Sequence, residues 1–176
     1  YKNDEPVIVV STVSVDTQDG GAVIHIGDNA SGRTNSDLTD WLGKGIDDWV
    51  WAVVAQLRAL VHSKTVTGAT IANYCSPGIQ AFFTFLTQNK IITLPGELHR
   101  QVVVSYVAWL KTQPQWGYLS QKSVYTATKS VLVAMQKRGL VPLNKDLFPA
   151  NPFPKSNSKG KGGETALSPG ERLRLV

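Results

Sequence analysis

Gln121-Lys122-Ser123-Val124-Tyr125-Thr126-Ala127-Thr128-Lys129-Ser130-Val131-Leu132-Val133-Ala134-Met135-Gln136-Lys137-Arg138-Gly139 is the stretch on which the fold turns. With Lys122 set at zero and about 100° per residue, Thr126 falls at about 40°, Lys129 at about 340°, Val133 at about 20° and Lys137 at about 60°. Val124, Thr128, Val131 and Met135 gather on the other side, between about 180° and 240°. One side is for a core; the opposite side carries three lysines. The spacing predicts an amphipathic helix from about Gln121 to Arg138. Gly139 is a normal C-terminal stop. Lysines in a narrow stripe can meet successive phosphates along a groove, and Ser123, Tyr125 and Thr126 add hydroxyls near the same end. A merely solvated outer face is the competing reading.

Working outward, Leu98, Val102, Tyr106, Trp109 and Leu110 form the core stripe of a helix expected from about Pro95 to Thr112. A loop with Pro114, Trp116 and Gly117 joins the two. Further back, Ile71, Tyr74, Ile79, Phe82, Phe83, Phe85 and Leu86 mark a helical region from about Thr67 to Thr87. Ser76-Pro77-Gly78 interrupts it. Either a new helix starts there, with Ser76 as cap and Pro77 in first position, or one helix kinks at Pro77. Before that, Ile46, Trp49, Val50, Val53, Val54, Leu57, Leu60 and Val61 recur in steps of three and four, with Asp47 and Asp48 in a first turn where the dipole favours them. Leu38, Trp41 and Leu42 begin a helical pattern that Gly43 and Gly45 weaken.

The N-terminal part reads differently. Residues 7–15 (Val-Ile-Val-Val-Ser-Thr-Val-Ser-Val) are β-branched and end in alternation, Asp19-Gly20-Gly21 is a turn, and 22–26 is a second short strand. A hairpin is expected, followed by a loop over 27–36. At the other end, Pro142, Pro149, Pro152 and Pro154 punctuate the chain. Residues 155–163 are a basic flexible linker whose lysines Lys155, Lys159 and Lys161 could track a phosphate backbone. Ser168, Pro169 and Glu171 then spell a helix start. With Tyr1 first and Met135 the only methionine, a processed or cut chain with a following domain is expected.

Composition narrows the chemistry. The chain has 176 residues, of which 42% are hydrophobic and 18% charged, as for one packed domain. Cys75 is the only cysteine, so an intramolecular disulfide and a multi-cysteine metal site are excluded; a small buried residue is its expected role. His25, His62 and His99 lack ligand spacing. No apolar run reaches membrane-spanning length and no signal peptide is visible, so a cytoplasmic location is expected. No GxSxG elbow or Cys/His motif appears, and the glycine pairs lack a phosphate-loop context. Phe82, Phe83 and Phe85 read as core. No cofactor, metal, membrane or small-molecule substrate is expected. Charge is divided: residues 1–62 hold four basic and nine acidic groups, a net −5, and residues 63–176 hold fourteen basic and four acidic, a net +10. Such asymmetry points to a polyanion partner for the second part.

Thr70-Ile71-Ala72-Asn73-Tyr74, Ile79 and Phe82-Phe83-Thr84-Phe85-Leu86 together resemble the first helix of the core-binding domain of tyrosine recombinases, the phage-type integrases. Val107-Ala108-Trp109-Leu110-Lys111 is similar to the end of that domain's second helix. Lys122 to Val141 is similar to its long third helix, Asn151-Pro152-Phe153 to its closing Asn-Pro, and Leu167-Ser168-Pro169-Gly170-Glu171 to the opening of the catalytic domain. The likeness covers about half the chain.

The resemblance implies a mainly α fold: a four- to five-helix SAM-like bundle over 65–154. An N-terminal β-hairpin (1–35) and helix (36–64) extend it, with a linker (155–166) and the start of a catalytic domain (167–176). It implies half of a clamp on double-stranded DNA, used in DNA integration and recombination with other recombinase protomers. The family's catalytic arginines, lysine, HxxR motif and tyrosine nucleophile are not carried over; His99-Arg100 is not HxxR. Lys64, Thr65, Thr67, Asn73, Lys122, Ser123, Thr126 and Lys129 are the expected DNA contacts, with Asn73 and Thr126 as base readers. Ser76-Pro77-Gly78 departs from a continuous first helix, and residues 1–62 have no counterpart in the minimal domain. The alternatives are a helical protein–protein module working through the acidic first part, or an enzyme built on a titratable cluster that the sequence does not display.

Overall fold

The computed structural model describes residues 21–154, and what it shows is a small, mainly helical bundle with a two-stranded antiparallel hairpin. The expected strand over 7–15, the linker over 155–166 and the segment 167–176 lie outside the described residues. The strand read at 22–26 is present as β1 (Val23–His25). It pairs with β2 (Asn35–Asp37), in the register Val23–Asp37, Ile24–Ser36 and His25–Asn35. Two of the three β2 residues fall in the stretch read as loop. Asn and Asp are poor strand formers, so nothing local marked them. The turn fixes the pairing instead: Asn29 Nδ2 donates to the carbonyls of Gly27 and Arg33, each at 2.8 Å.

A short 3₁₀ turn (Thr39–Trp41) is all that survives of the helical pattern at 38–42. Gly43 and Gly45 both adopt positive φ, and the chain then enters α1 (Asp47–Ser63). Asp47 accepts from the Gly43 amide at 2.9 Å, as an acid in a first turn should. The apolar stripe buries Trp49, Val50, Val53, Val54 and Leu57.

The next helical arm is broken rather than smoothly kinked. α2 (Gly68–Asn73) runs into wide π-type turns over Tyr74–Ile79, and α3 (Gln80–Gln88) resumes beyond them. Ser76 is extended, at φ −145° and ψ 121°. Two proline effects account for this. Pro77 offers no amide to the ladder, and its ring pushes the preceding residue out of the helical region. α4 (Arg100–Lys111) and α5 (Tyr118–Lys137) complete the bundle. Pro95–Glu97 forms a separate 3₁₀ turn, so α4 starts later than its apolar stripe suggested. Counting the broken arm as one, the helices number four among the described residues.

The core is aromatic at its centre. Phe82 meets Trp49 and Tyr106 edge to face, at centroid distances of 5.2 and 5.0 Å. Phe82, Phe83, Phe85 and Cys75 are buried, as expected for core residues. A buried polar relay ties the break to α5. Thr128 Oγ1 lies 2.9 Å from the Tyr106 hydroxyl, from which it accepts, and it shares its own hydrogen between the Gly78 carbonyl at 3.0 Å and the Val124 carbonyl at 3.1 Å. After α5 the chain folds back. Arg100 Nη1 donates to the Asp146 carbonyl at 2.8 Å, and Phe153 packs on Tyr118 and Tyr125. Tyr118 donates its hydroxyl to the Pro154 carbonyl. No helix among the described residues is long and apolar enough to cross a membrane.

Candidate nucleic-acid interface

The broken arm packs tightly on α5 at Gly78, whose missing side chain lets Ala127 in: a Cβ there would lie 2.8 Å from the Ala127 Cβ. Beside this contact the surfaces of α2 and α5 diverge into an open groove of about 670 Å³. Thr70, Asn73 and Tyr74 line one wall; Leu119, Lys122, Ser123, Thr126, Ala127 and Ser130 line the other. No carboxylate is among these residues. The side chains of Lys122, Ser123 and Thr126 make no hydrogen bond within the described residues, whereas Ser130 Oγ is spent on the Thr126 carbonyl at 2.9 Å. One cation and two available hydroxyls therefore face a concave surface without an acid to repel an anion.

Asn73 is held in place from far away in sequence. Arg33, in the β1–β2 turn, sends Nη2 to Asn73 Oδ1 at 2.8 Å, and its Nη1 to the Ser76 carbonyl at 2.9 Å and the Ala72 carbonyl at 3.3 Å. The planar guanidinium thus satisfies carbonyls that the break in the helix leaves open. It also takes one of the two lone pairs of Asn73 Oδ1, leaving the amide hydrogens and the second lone pair for a ligand.

The groove gathers Asn73, Lys122, Ser123 and Thr126 from the expected set. The other four stand elsewhere. Lys64 ends α1 in the left-handed region, at φ 57°, and is exposed. Thr65 Oγ1 bonds the Ser63 hydroxyl at 3.0 Å. Thr67 is the N-cap of α2, its Oγ1 accepting from the Thr70 amide at 3.1 Å. Lys129 turns to the folded-back tail, with Nζ 5.4 Å from the Phe148 ring centroid, a cation–π contact. Lys137 is exposed in the last turn of α5. The three lysines of the stripe therefore do not share one surface environment.

Tyr125 does not join Ser123 and Thr126 at the groove, contrary to the sequence expectation: its hydroxyl is buried, and no partner for it stands among the described residues. Burial pushes the phenol up to about 12, the Arg100 charge pulling the other way. Thr70, Tyr74, Leu119, Ala127 and Ser130 line the groove without being among the expected contacts. Leu119 and Ser130 fall at about 60° and 80° on the same wheel, between Lys122 and Ser123, so the angular signal was there.

Comparison with family models, curated proteins and solved structures gave no match to this chain.

Proposed function

We propose that the chain binds duplex DNA through the α2–α5 groove. It would act as a SAM-like, core-binding-type domain of a tyrosine recombinase and hold DNA for a catalytic domain that does the cutting and rejoining. The observation that carries this reading is the groove itself, where Lys122, Ser123, Thr126 and Asn73 converge with no carboxylate among them. Lysine, hydroxyl and amide donors suit phosphate oxygens, which position a protein on DNA without reading sequence. Asn73 meets a ligand first with its amide hydrogens, because Arg33 holds its oxygen; a two-pronged contact to adenine would use that oxygen's second lone pair. Lys64 and the linker lysines supply longer-range attraction. The order of helix-like motifs along 65–153, ending in Asn151-Pro152-Phe153, supports the recombinase assignment; other protomers on the same DNA are the partners it implies.

Two acids of the N-terminal part, Asp37 and Asp47, give less support to a protein-docking role. Asp37 accepts from the Thr39 amide at 2.9 Å, and Asp47 from Gly43. Those carboxylates serve local turns.

Fluorescence anisotropy with a mixed-sequence duplex of about two helical turns tests the proposal. Affinity should fall linearly with salt on logarithmic axes, and Lys122→Ala should reduce the slope by about one. Ser123→Ala combined with Thr126→Val should weaken binding severalfold at fixed salt. A chain that ignores duplex DNA at low salt, or binds it with unchanged slope after Lys122→Ala, overturns the groove as the site.

A further inference from the structure

Leu119 is the one large apolar side chain in the groove's α5 wall, and it is 73% exposed. Ile92, Leu94 and Leu143 are also exposed, but they sit in connections between helices. Tyr118, its neighbour, has its hydroxyl committed to the Pro154 carbonyl. Leu119 instead stands on a helical stripe with Ser123, Thr126 and Ser130, spaced four, seven and eleven residues along the same face. An exposed leucine amid hydroxyls makes poor use of water, and its surroundings are those of a surface that meets a ligand with both polar and apolar edges.

We infer that Leu119 contacts the C5 methyl of a thymine in the major groove, giving the domain sequence preference on top of phosphate binding. The inference rests on the groove binding duplex DNA. A helix fits the major groove, and the thymine methyl is the apolar feature that the base pairs present there. With Lys122, Ser123 and Thr126 on flanking phosphates, Leu119, on the same helical face, meets the methyl. Other base edges offer Leu119 hydrogen-bonding atoms and bare ring C–H groups, so the projecting methyl is what distinguishes a favourable step from an unfavourable one.

The test selects a preferred duplex from a randomised pool with the whole chain, then remakes it with deoxyuridine in place of thymidine. That exchange removes methyl groups and leaves charge and hydrogen-bonding pattern intact. The wild-type chain should bind the uracil duplex about fourfold more weakly, the value of burying one methyl. Leu119→Ala should bind the thymine duplex weakly and lose the distinction between the two. Leu143→Ala, an exposed leucine away from the groove, should keep it. Leu119 is exposed, so an unchanged thermal melt will confirm that the variant folds. A selected consensus without thymine, equal wild-type affinity for both duplexes, or discrimination that survives Leu119→Ala overturns the inference. If salt-dependent duplex binding persists in any of these cases, the groove reading stands without it; if no duplex binds at low salt, both fall.

Discussion

At Gly78 the absence of a side chain is a packing requirement. A Cβ would press on Ala127 at 2.8 Å and approach the Asn73 carbonyl at 3.2 Å, backbone that cannot rotate away. Gly78→Ala should therefore destabilise the fold by about 1–3 kcal/mol, the usual range for overpacking. An unchanged urea midpoint would mean that the helices separate without cost. Tyr125 poses the opposite case. Its buried hydroxyl has no partner among the described residues, so Tyr125→Phe removes a desolvated group and should be neutral or stabilising by up to about 1 kcal/mol. A clear loss of stability would reveal a partner. Neither residue declared its role in the sequence. Gly78 looked like part of a Ser-Pro-Gly breaker, and Tyr125 like one more hydroxyl beside Ser123. Contacts with distant chain decide both: Ala127 for Gly78, and Tyr106 and Phe153 for Tyr125.

The elements themselves were more legible. Steps of three and four along 46–61, and the lysine–apolar split of 122–137, marked α1 and α5 because burial on one face imposes that period. The break at Ser76 followed from proline chemistry, although the choice between a restart and a kink did not. β2 and Arg33 were invisible: Asn35-Ser36-Asp37 has no strand preference, and an arginine in a turn gives no sign of capping a helix end forty residues on. That cap can be tested. Arg33→Ala should cost about 1 kcal/mol, as expected for charge-assisted hydrogen bonds at an exposed site. It should also speed hydrogen exchange at the amides around Ile79 and Gln80 more than at those of α4. Uniform exchange across the bundle would argue against a local cap.

Over the whole molecule, two phenols and one thiol make stability depend on alkaline pH; burial pushes Cys75 up from 9.0, so its contribution is lost from about pH 9 upward. Burial holds the Tyr125 proton to about 12 in the fold, against 10.0 in an ordinary tyrosine, and pushes Tyr106 up as well. Between those values the unfolded chain binds fewer protons than the folded one, so stability falls as pH rises from about 10. The thermal midpoint should be level between pH 7 and 8 and drop by pH 11, less steeply in Tyr125→Phe. A flat midpoint through pH 11 would contradict this. The charge division between the two parts of the chain was plain from composition, but the fate of the lysine stripe was not. A single-helix projection placed Lys122 and Lys129 together, whereas the returning segment with Phe148 claims Lys129 at one edge.

That return has a further effect through simple connectivity. Tyr118 fastens Pro154 to the first turn of α5, the turn that also carries Leu119. The returning segment is thereby closed into a loop whose two ends meet at the opening of α5, with Phe153 set against Tyr118 and Tyr125 inside it.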